Sequence, residues 1–370
     1  MRDVEMVLKE IKIDEFISLV KQNKLICFGA GQGLKTFCDK LIEYDIENEI
    51  AYIVDNDSNK WGTTNFYRNK KIEIISPQKM SDEVLNKNCI LVITCFNVEE
   101  ILAQLNSNED LNEFNCYFYI GILNSYFYKK ALNVKIPKTF KFFSEPQIPK
   151  VIHYCWFGKN PLPKRYKKWM SSWKKYCSDY QIIEWNETNY DITKNKYMKQ
   201  AYDAKKWGFI SDYARLDIIY EHGGIYLDTD VELIRSLDDF LYQKGFCGFQ
   251  DDLRVATGLG IGAIKNLNII GELRDIYNYI EFIKSDGTLN LKACPDYQTE
   301  FLKGKGLVQN GEFQEIEELN VYPVTFFCGI MALGGRKIIT ENTVSIHHFD
   351  GSWVDAEKKK KIETIKGYFV

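Results

Sequence analysis

The sequence predicts an α/β protein built as two units, and three observations carry that expectation. A short apolar run, Leu25-Ile26-Cys27-Phe28, leads directly into Gly29-Ala30-Gly31-Gln32-Gly33, which reads as a strand, a glycine turn and the start of a helix. Pro137, Pro146 and Pro149 punctuate a polar stretch between Lys135 and Pro149, which places a linker there and a boundary near Glu145. Beyond it, apolar runs of strand length again alternate with helical spacing, and one of them closes on two acids, Gly223-Gly224-Ile225-Tyr226-Leu227-Asp228-Thr229-Asp230. With 370 residues, of which 45% are hydrophobic and 27% charged, the chain can bury two cores.

In the first unit, residues 1–145, the strand ending at Phe28 and its glycine turn continue as a helix to about Tyr44, followed by a second strand, Ala51 to Val54, closed by Asp55. That is the opening of a Rossmann-like parallel sheet, in which glycines let the backbone approach a pyrophosphate and an acid closing the second strand binds ribose hydroxyls. The fingerprint is incomplete, because Leu34 stands where a further glycine belongs. Dinucleotide binding and a docking or scaffolding role therefore both stay open. Ile90 to Thr94 and Tyr117 to Ile120 read as further parallel strands.

The second unit, residues 146–370, reads as a strand over 150–155, a helix over 163–175, a strand over 181–185 and a helix over 198–205. The run Phe209 to Tyr220 continues with helical apolar spacing, with Ser211 as a candidate N-cap, and Gly223-Gly224 stops it. Gly334-Gly335 and Ser345 to Trp353 read as a late strand and a lid.

If Ile225 to Val231 is extended, Asp228 and Asp230 project to one side together with Tyr226, while Ile225 and Leu227 enter the core. Two like charges so placed call for a cation, and oxygen ligands favour Mg2+ or Mn2+, which keep positions open for substrate phosphates. The same pattern also suits a solvated turn. Asp212 and Arg215, three apart on the preceding helix, form either a surface ion pair or a grip on sugar hydroxyls.

Four separated segments, Ile148 to Gly158, Ser211-Asp212 with Arg215, Gly223 to Asp230, and His347-His348-Phe349-Asp350-Gly351-Ser352-Trp353, occur in an order that resembles a known family. From Ile148 onward the chain is similar to the DXD-motif glycosyltransferases of the family 32 group, which contains fungal initiating mannosyltransferases and bacterial capsular polysaccharide transferases. It is more distantly similar to the large clostridial glucosylating toxins. The resemblance implies a GT-A fold and retention of anomeric configuration. It implies that Trp156 stacks on a nucleotide base, that Asp212 and Arg215 hold the donor sugar, and that Asp228 contacts sugar or ribose and metal-bound water. It further implies that Asp230 ligates the metal, with Asp228 and His347 in the same metal set, that Tyr226 lines the nucleotide-sugar site, and that His347, Ser352 and Trp353 close over the diphosphate. Trp156 as a core aromatic behind its strand remains the competing reading, and alternation along a strand lets only one of His347 and His348 face a site. The pattern weakens between Gly258 and Gly262 and around Cys294 to Gln298.

The net charge of −3 argues against a protein that binds nucleic acid through bulk electrostatics. Locally, Lys164, Arg165, Lys167, Lys168, Lys174 and Lys175 interleave with Tyr166, Trp169, Met170 and Trp173 as an amphipathic helix. Its cationic face is either solvated or meets an anionic acceptor or membrane surface. Ten cysteines without C-x-x-C spacing suit a reduced, cytoplasmic protein, at the inner face of the membrane if the acceptor is lipid-linked. No apolar run reaches the length of a membrane span. The expected activity is metal-dependent transfer of a hexose or N-acetylhexosamine, from a UDP-sugar in the first instance, to a glycan or lipid-linked oligosaccharide in surface polysaccharide synthesis. A non-catalytic binding partner and an NAD-linked oxidoreductase are the alternatives.

Overall fold

The computed structural model describes residues 8–351 apart from 69, 85–87, 109–114 and 333–334, together with Lys360 and Thr364. Two compact units divide the chain, Met1–Lys129 with Lys360–Val370, and Lys130–Lys359.

The first unit contains strands β1 (Lys24–Phe28), β2 (Ile50–Val54), β3 (Thr64–Tyr67), β4 (Lys70–Ile75), β5 (Cys89–Ile93) and β6 (Asn115–Phe118), in the order β3-β4-β2-β1-β5-β6. All pairs are parallel except β3 with β4, so an antiparallel hairpin caps one edge of the expected sheet. Helices α1 (Ile13–Val20), α2 (Gln32–Lys40), α3 (Pro77–Val84), α4 (Val98–Asn106) and α5 (Tyr119–Leu132) accompany it. β5 is buried along its whole length and β1 beyond Lys24, as strands covered on both faces must be, which is why they read as unbroken apolar runs. Strand β6 ends at Phe118, earlier than predicted, because Tyr119 already opens α5.

The glycine turn after β1 has a packing reason. A Cβ on Gly33 would lie 2.1 Å from the Thr94 carbonyl oxygen, so α2 can begin beside the end of β5 only with glycine there. Asp55 accepts hydrogen bonds from the backbone N–H groups of Ala30 and Asp57, each at 2.9 Å, and pairs with Lys60 at 3.1 Å. In this arrangement its carboxylate ties the turn to the end of β2.

The second unit holds β7 (Val151–Cys155), β8 (Gln181–Trp185), β9 (Gly224–Tyr226), β10 (Val231–Leu233), β11 (Gly245–Gly248), β12 (Ile261–Ala263), β13 (Gln314–Ile316), β14 (Leu319–Tyr322) and β15 (Ser345–His347). Seven of them form a mixed sheet in the order β13-β14-β11-β12-β9-β7-β8, and β10 pairs separately with β15. Its helices are α6 (Lys164–Tyr176), α7 (Lys196–Asp203), α8 (Trp207–His222), α9 (Asn268–Asp275), α10 (Cys294–Gly304) and α11 (Val324–Phe327). β7 runs parallel to β8 and β9, and β12 lies antiparallel between β9 and β11, so β7, β8, β9, β11 and β14 all end at one edge. That edge is where α/β sheets place their ligands.

The proline-punctuated stretch packs inside this unit. Phe140 stacks on Phe240 and meets Phe326 edge-on at 5.2 Å, and Gln147 donates from its backbone N–H to the Leu241 carbonyl at 2.7 Å. These rings extend the aromatic core of Phe240, Phe246, Tyr322 and Phe327. α8 starts at Trp207, so Ser211 lies within the helix rather than capping it; its hydroxyl returns to the Gly208 carbonyl at 2.9 Å. The helix stops at Gly223, as expected, in a left-handed conformation with φ of 69°.

Candidate active site

The two acids of the DXD segment do not sit on one continuous strand. β9 ends at Tyr226, and a turn closed by a hydrogen bond from the Val231 N–H to the Asp228 carbonyl at 3.0 Å separates it from β10. Alternation along a strand is therefore not what brings the acids together; the turn does. Its entry is fixed from below by His153 on β7. Trp185 Nε1, which can only donate, points at His153 Nδ1 at 3.0 Å, so Nε2 carries the proton and donates to the Gly223 carbonyl at 2.9 Å. Burial holds this ring neutral and pushes its pKa down to about 4.

His347 reaches the turn from β15, which pairs antiparallel with β10 and sets His347 opposite Val231. One ligand atom from each of Asp228, Asp230 and His347 lies within 4.8 Å of the others, and His347 Nε2 stands 3.2 Å from Asp230 Oδ1. His348 turns the other way, stacks on Trp169 at 4.2 Å and contacts Glu232 at 2.9 Å. Two oxygens and one imidazole nitrogen form a donor set that fits a divalent ion such as Mn2+ or Mg2+. Among the described residues nothing hydrogen-bonds the buried His347 Nδ1, and Phe349 packs edge-on against the ring at 4.3 Å.

Charge is divided unevenly over the cluster. Although burial opposes ionisation, the neighbouring imidazole and its hydrogen bond hold Asp230 down to about 2. Burial raises the pKa of Asp228, against the pull of Arg215 and with the push of Asp230. Burial also works against a charged His347, but the carboxylate of Asp230 outweighs it and raises that pKa.

Asp212 and Arg215 are an interior pair, 6% and 4% exposed, which excludes the surface ion pair. The guanidinium of Arg215 uses Nε on the Ser211 carbonyl at 2.9 Å, Nη2 on Asp212 at 3.4 Å and Asp228 at 3.2 Å, and Nη1 on Cys294 Sγ at 3.7 Å. It also lies over the ring of Tyr226, whose hydroxyl donates to Asp228 at 2.9 Å. Arg215 thus aims Asp228, and Tyr226, buried in the core, holds the same carboxylate from beneath. Burial raises the Asp212 carboxyl to about 6, against the opposing charge of Arg215.

Trp156 follows β7 and is not a core residue. Its indole N–H donates to the Asn160 carbonyl at 2.6 Å, and its ring meets Tyr166 edge-on at 5.7 Å. Tyr166 and Arg165 both donate to Asp350 at 2.5 Å, and the Asp350 backbone N–H donates to Asp230 at 3.0 Å. This path of contacts joins Trp156 to the acidic turn. Ser352 and Trp353 lie outside the described residues.

Several participants were not legible as site residues. Asp350 stands in a quoted segment but its type alone does not reveal that its backbone serves Asp230. Gly258 approaches the cluster so closely that a Cβ would lie 2.2 Å from Asp228 Oδ2. Cys294 and Gly258 both fall where the sequence pattern weakens.

An interior arginine aiming one acid and a second acid held by a histidine lie together at the strand-end edge of an α/β sheet, the arrangement expected of a DXD segment. Residues 163–247 match the family model described as "Glycosyltransferase sugar-binding region containing DXD motif", and through that region the chain is similar to DXD-motif glycosyltransferases. It is 32% identical over 106 residues to inositol phosphoceramide mannosyltransferase 3 of Schizosaccharomyces pombe, covering 26% of this chain and 28% of that protein. It is 22% identical over 152 residues to the initiation-specific alpha-1,6-mannosyltransferase of Candida albicans, covering 38% and 40%. The chain thus spans less than half the length of these relatives. The solved PaToxG glycosyltransferase covers 50% of this chain and 75% of its own at 19% identity and a TM-score of 0.34, too loose a likeness to carry an argument.

Proposed function

We propose that the protein is a metal-dependent, retaining glycosyltransferase of GT-A type. It transfers a hexose or N-acetylhexosamine from a nucleotide diphosphate sugar to a glycan or lipid-linked oligosaccharide acceptor in surface polysaccharide synthesis, acting in the cytoplasm at the inner face of a membrane. The observation that carries this reading is the convergence of Asp228, Asp230 and His347 beside the buried Asp212–Arg215 pair. Asp230, His347 and Asp228 would hold Mn2+ or Mg2+, and such an ion neutralises charge that builds on a departing diphosphate. Asp212 accepts hydrogen bonds from sugar hydroxyls, and Arg215 fixes the direction of Asp228. Trp156 offers its ring to the base. Ser352 and Trp353 are proposed to close over the phosphates. A UDP-sugar is the first donor to test; since the two relatives described above are named mannosyltransferases, mannose belongs in the same screen.

The test is a panel of UDP-, GDP- and CMP-sugars, followed by nucleotide release with Mn2+, with Mg2+ and with chelator. One donor is expected to turn over only with metal, and Asp230→Asn is expected to lower turnover on the order of 100-fold or more while the protein stays folded. Turnover that persists in chelator, or in Asp230→Asn, overturns the assignment. No helix among the described residues is long and apolar enough to cross a membrane, so contact with a lipid-linked acceptor would be peripheral at those residues.

A further inference from the structure

Helix α6 carries six cations, Lys164, Arg165, Lys167, Lys168, Lys174 and Lys175, and no acid in thirteen residues, on a chain whose net charge is −3. Its inner side is locked down. Trp173 is fully buried and its indole N–H donates to the Val231 carbonyl at 2.9 Å, while the Ser172 hydroxyl accepts from the Leu233 N–H at 2.8 Å. Tyr166 and Arg165 hold Asp350, as described above. The outer side is open. Lys164, Lys167, Lys168 and Lys174 are exposed, and none makes an ion pair among the described residues. Other lysines of the unit do meet an acid, as Lys150 does with Asp179 and Asp238, and Lys199 with Asp203.

Four exposed ammonium groups without an acid partner among the described residues make one side of this helix a cationic patch, which an anionic surface would complement. The helix is about 20 Å long at about 1.5 Å per residue, so its lysines can meet a plane of headgroups together. Trp169, one face of whose ring is covered by His348, and Met170 are half-buried beside the lysines and add apolar surface of the kind an interfacial helix presents to lipid and a soluble polyanion does not require. We propose that the outer face of α6 is a docking surface for a membrane bearing anionic lipid. Because α6 is fixed to β10, the strand that leaves Asp230, docking sets the acidic turn within about one helix diameter, roughly 10 Å, of the face that meets the headgroups. This inference does not depend on the sugar-transfer reading, since lipid contact is measured without turnover.

The experiment is co-sedimentation of the full chain with phosphatidylcholine vesicles containing about one fifth phosphatidylserine, and with phosphatidylcholine vesicles alone, at roughly 0.1 and 0.5 M salt. Binding is expected on the anionic vesicles only and is expected to fall at the higher salt. Replacing Lys164, Lys167, Lys168 and Lys174 by Gln should weaken it by about fivefold per residue, on the order of several hundredfold together, with an unchanged melting temperature. A double replacement, Lys167→Gln with Lys168→Gln, gives an intermediate loss and serves if the fourfold variant is unstable. Equal binding to neutral vesicles, wild-type protein remaining in the supernatant, or affinity for soluble dextran sulfate without affinity for vesicles would each overturn the proposal.

Discussion

Gly258→Ala isolates the geometry of the acidic turn from its chemistry. An added Cβ would stand 2.2 Å from Asp228 Oδ2 and 3.0 Å from Arg215 Nη1. An ordinary carbon–oxygen contact lies a little above 3 Å, so the carboxylate must retreat by about 1 Å. It is held in place by the Tyr226 hydroxyl at 2.9 Å and Arg215 at 3.2 Å, so the retreat breaks at least one of them. Gly258 does not have the left-handed backbone that would itself reject alanine. A displacement of that size in a catalytic group costs on the order of 100-fold in rate, about 2.7 kcal/mol. The assay is kcat/KM for metal-dependent nucleotide release from the donor identified by the panel, with a melting curve alongside. The expected result is a large loss of turnover with little change in melting. Activity within about twofold of wild type would show that Asp228 can move freely, and the positioning argument would fail.

Two further predictions concern the groups that hold the turn. In metal-free protein the raised pKa of His347 means that its pairing with Asp230 stabilises the fold fully below about pH 6.5 and less as pH rises through the folded value. Urea unfolding in chelator should therefore show His347→Gln costing about 1–2 kcal/mol near pH 6 and less near pH 9, whereas the reverse slope would contradict the pairing. Gly224 has φ of 98°, and a Cβ there would lie 2.9 Å from both His153 Nε2 and the Val151 carbonyl oxygen. Gly224→Ala should lose about 1–3 kcal/mol of stability, and a neutral result in the same unfolding assay would mean that His153 does not brace the turn.

The alternating sheet-and-helix order was legible because β1 and β5 are covered on both faces and must be apolar throughout. That the acids at positions 228 and 230 lie close together was legible from their spacing, but the reason they converge was not. Spacing of two suits a strand equally well, and only the Val231-to-Asp228 hydrogen bond distinguishes the turn. Alternation along a strand implied that only one of His347 and His348 would face the acids, without saying which, and the two rings do lie on opposite sides of β15, His347 toward Asp230 and His348 toward Glu232. The role of Arg215 was partly legible. Its pairing with Asp212 follows from helical spacing, whereas its contact with Asp228 needs the sheet to bring α8 against the end of β9. Gly258 and the backbone of Asp350 could not be read at all, because a missing Cβ and a peptide N–H leave no mark in residue type. The proline-rich stretch shows a further limit: its polar spacing suggests a linker, while Phe140 inserts into the aromatic core between its prolines.

The pairing of β10 with β15 joins segments more than a hundred positions apart. A polypeptide clipped or still growing short of Ser345 would carry both carboxylates of the turn yet lack the imidazole that holds Asp230 and the edge that frames it. Competence would then arrive in one step, once Ser345 to His347 have joined the chain, so that shorter chains remain silent towards substrate.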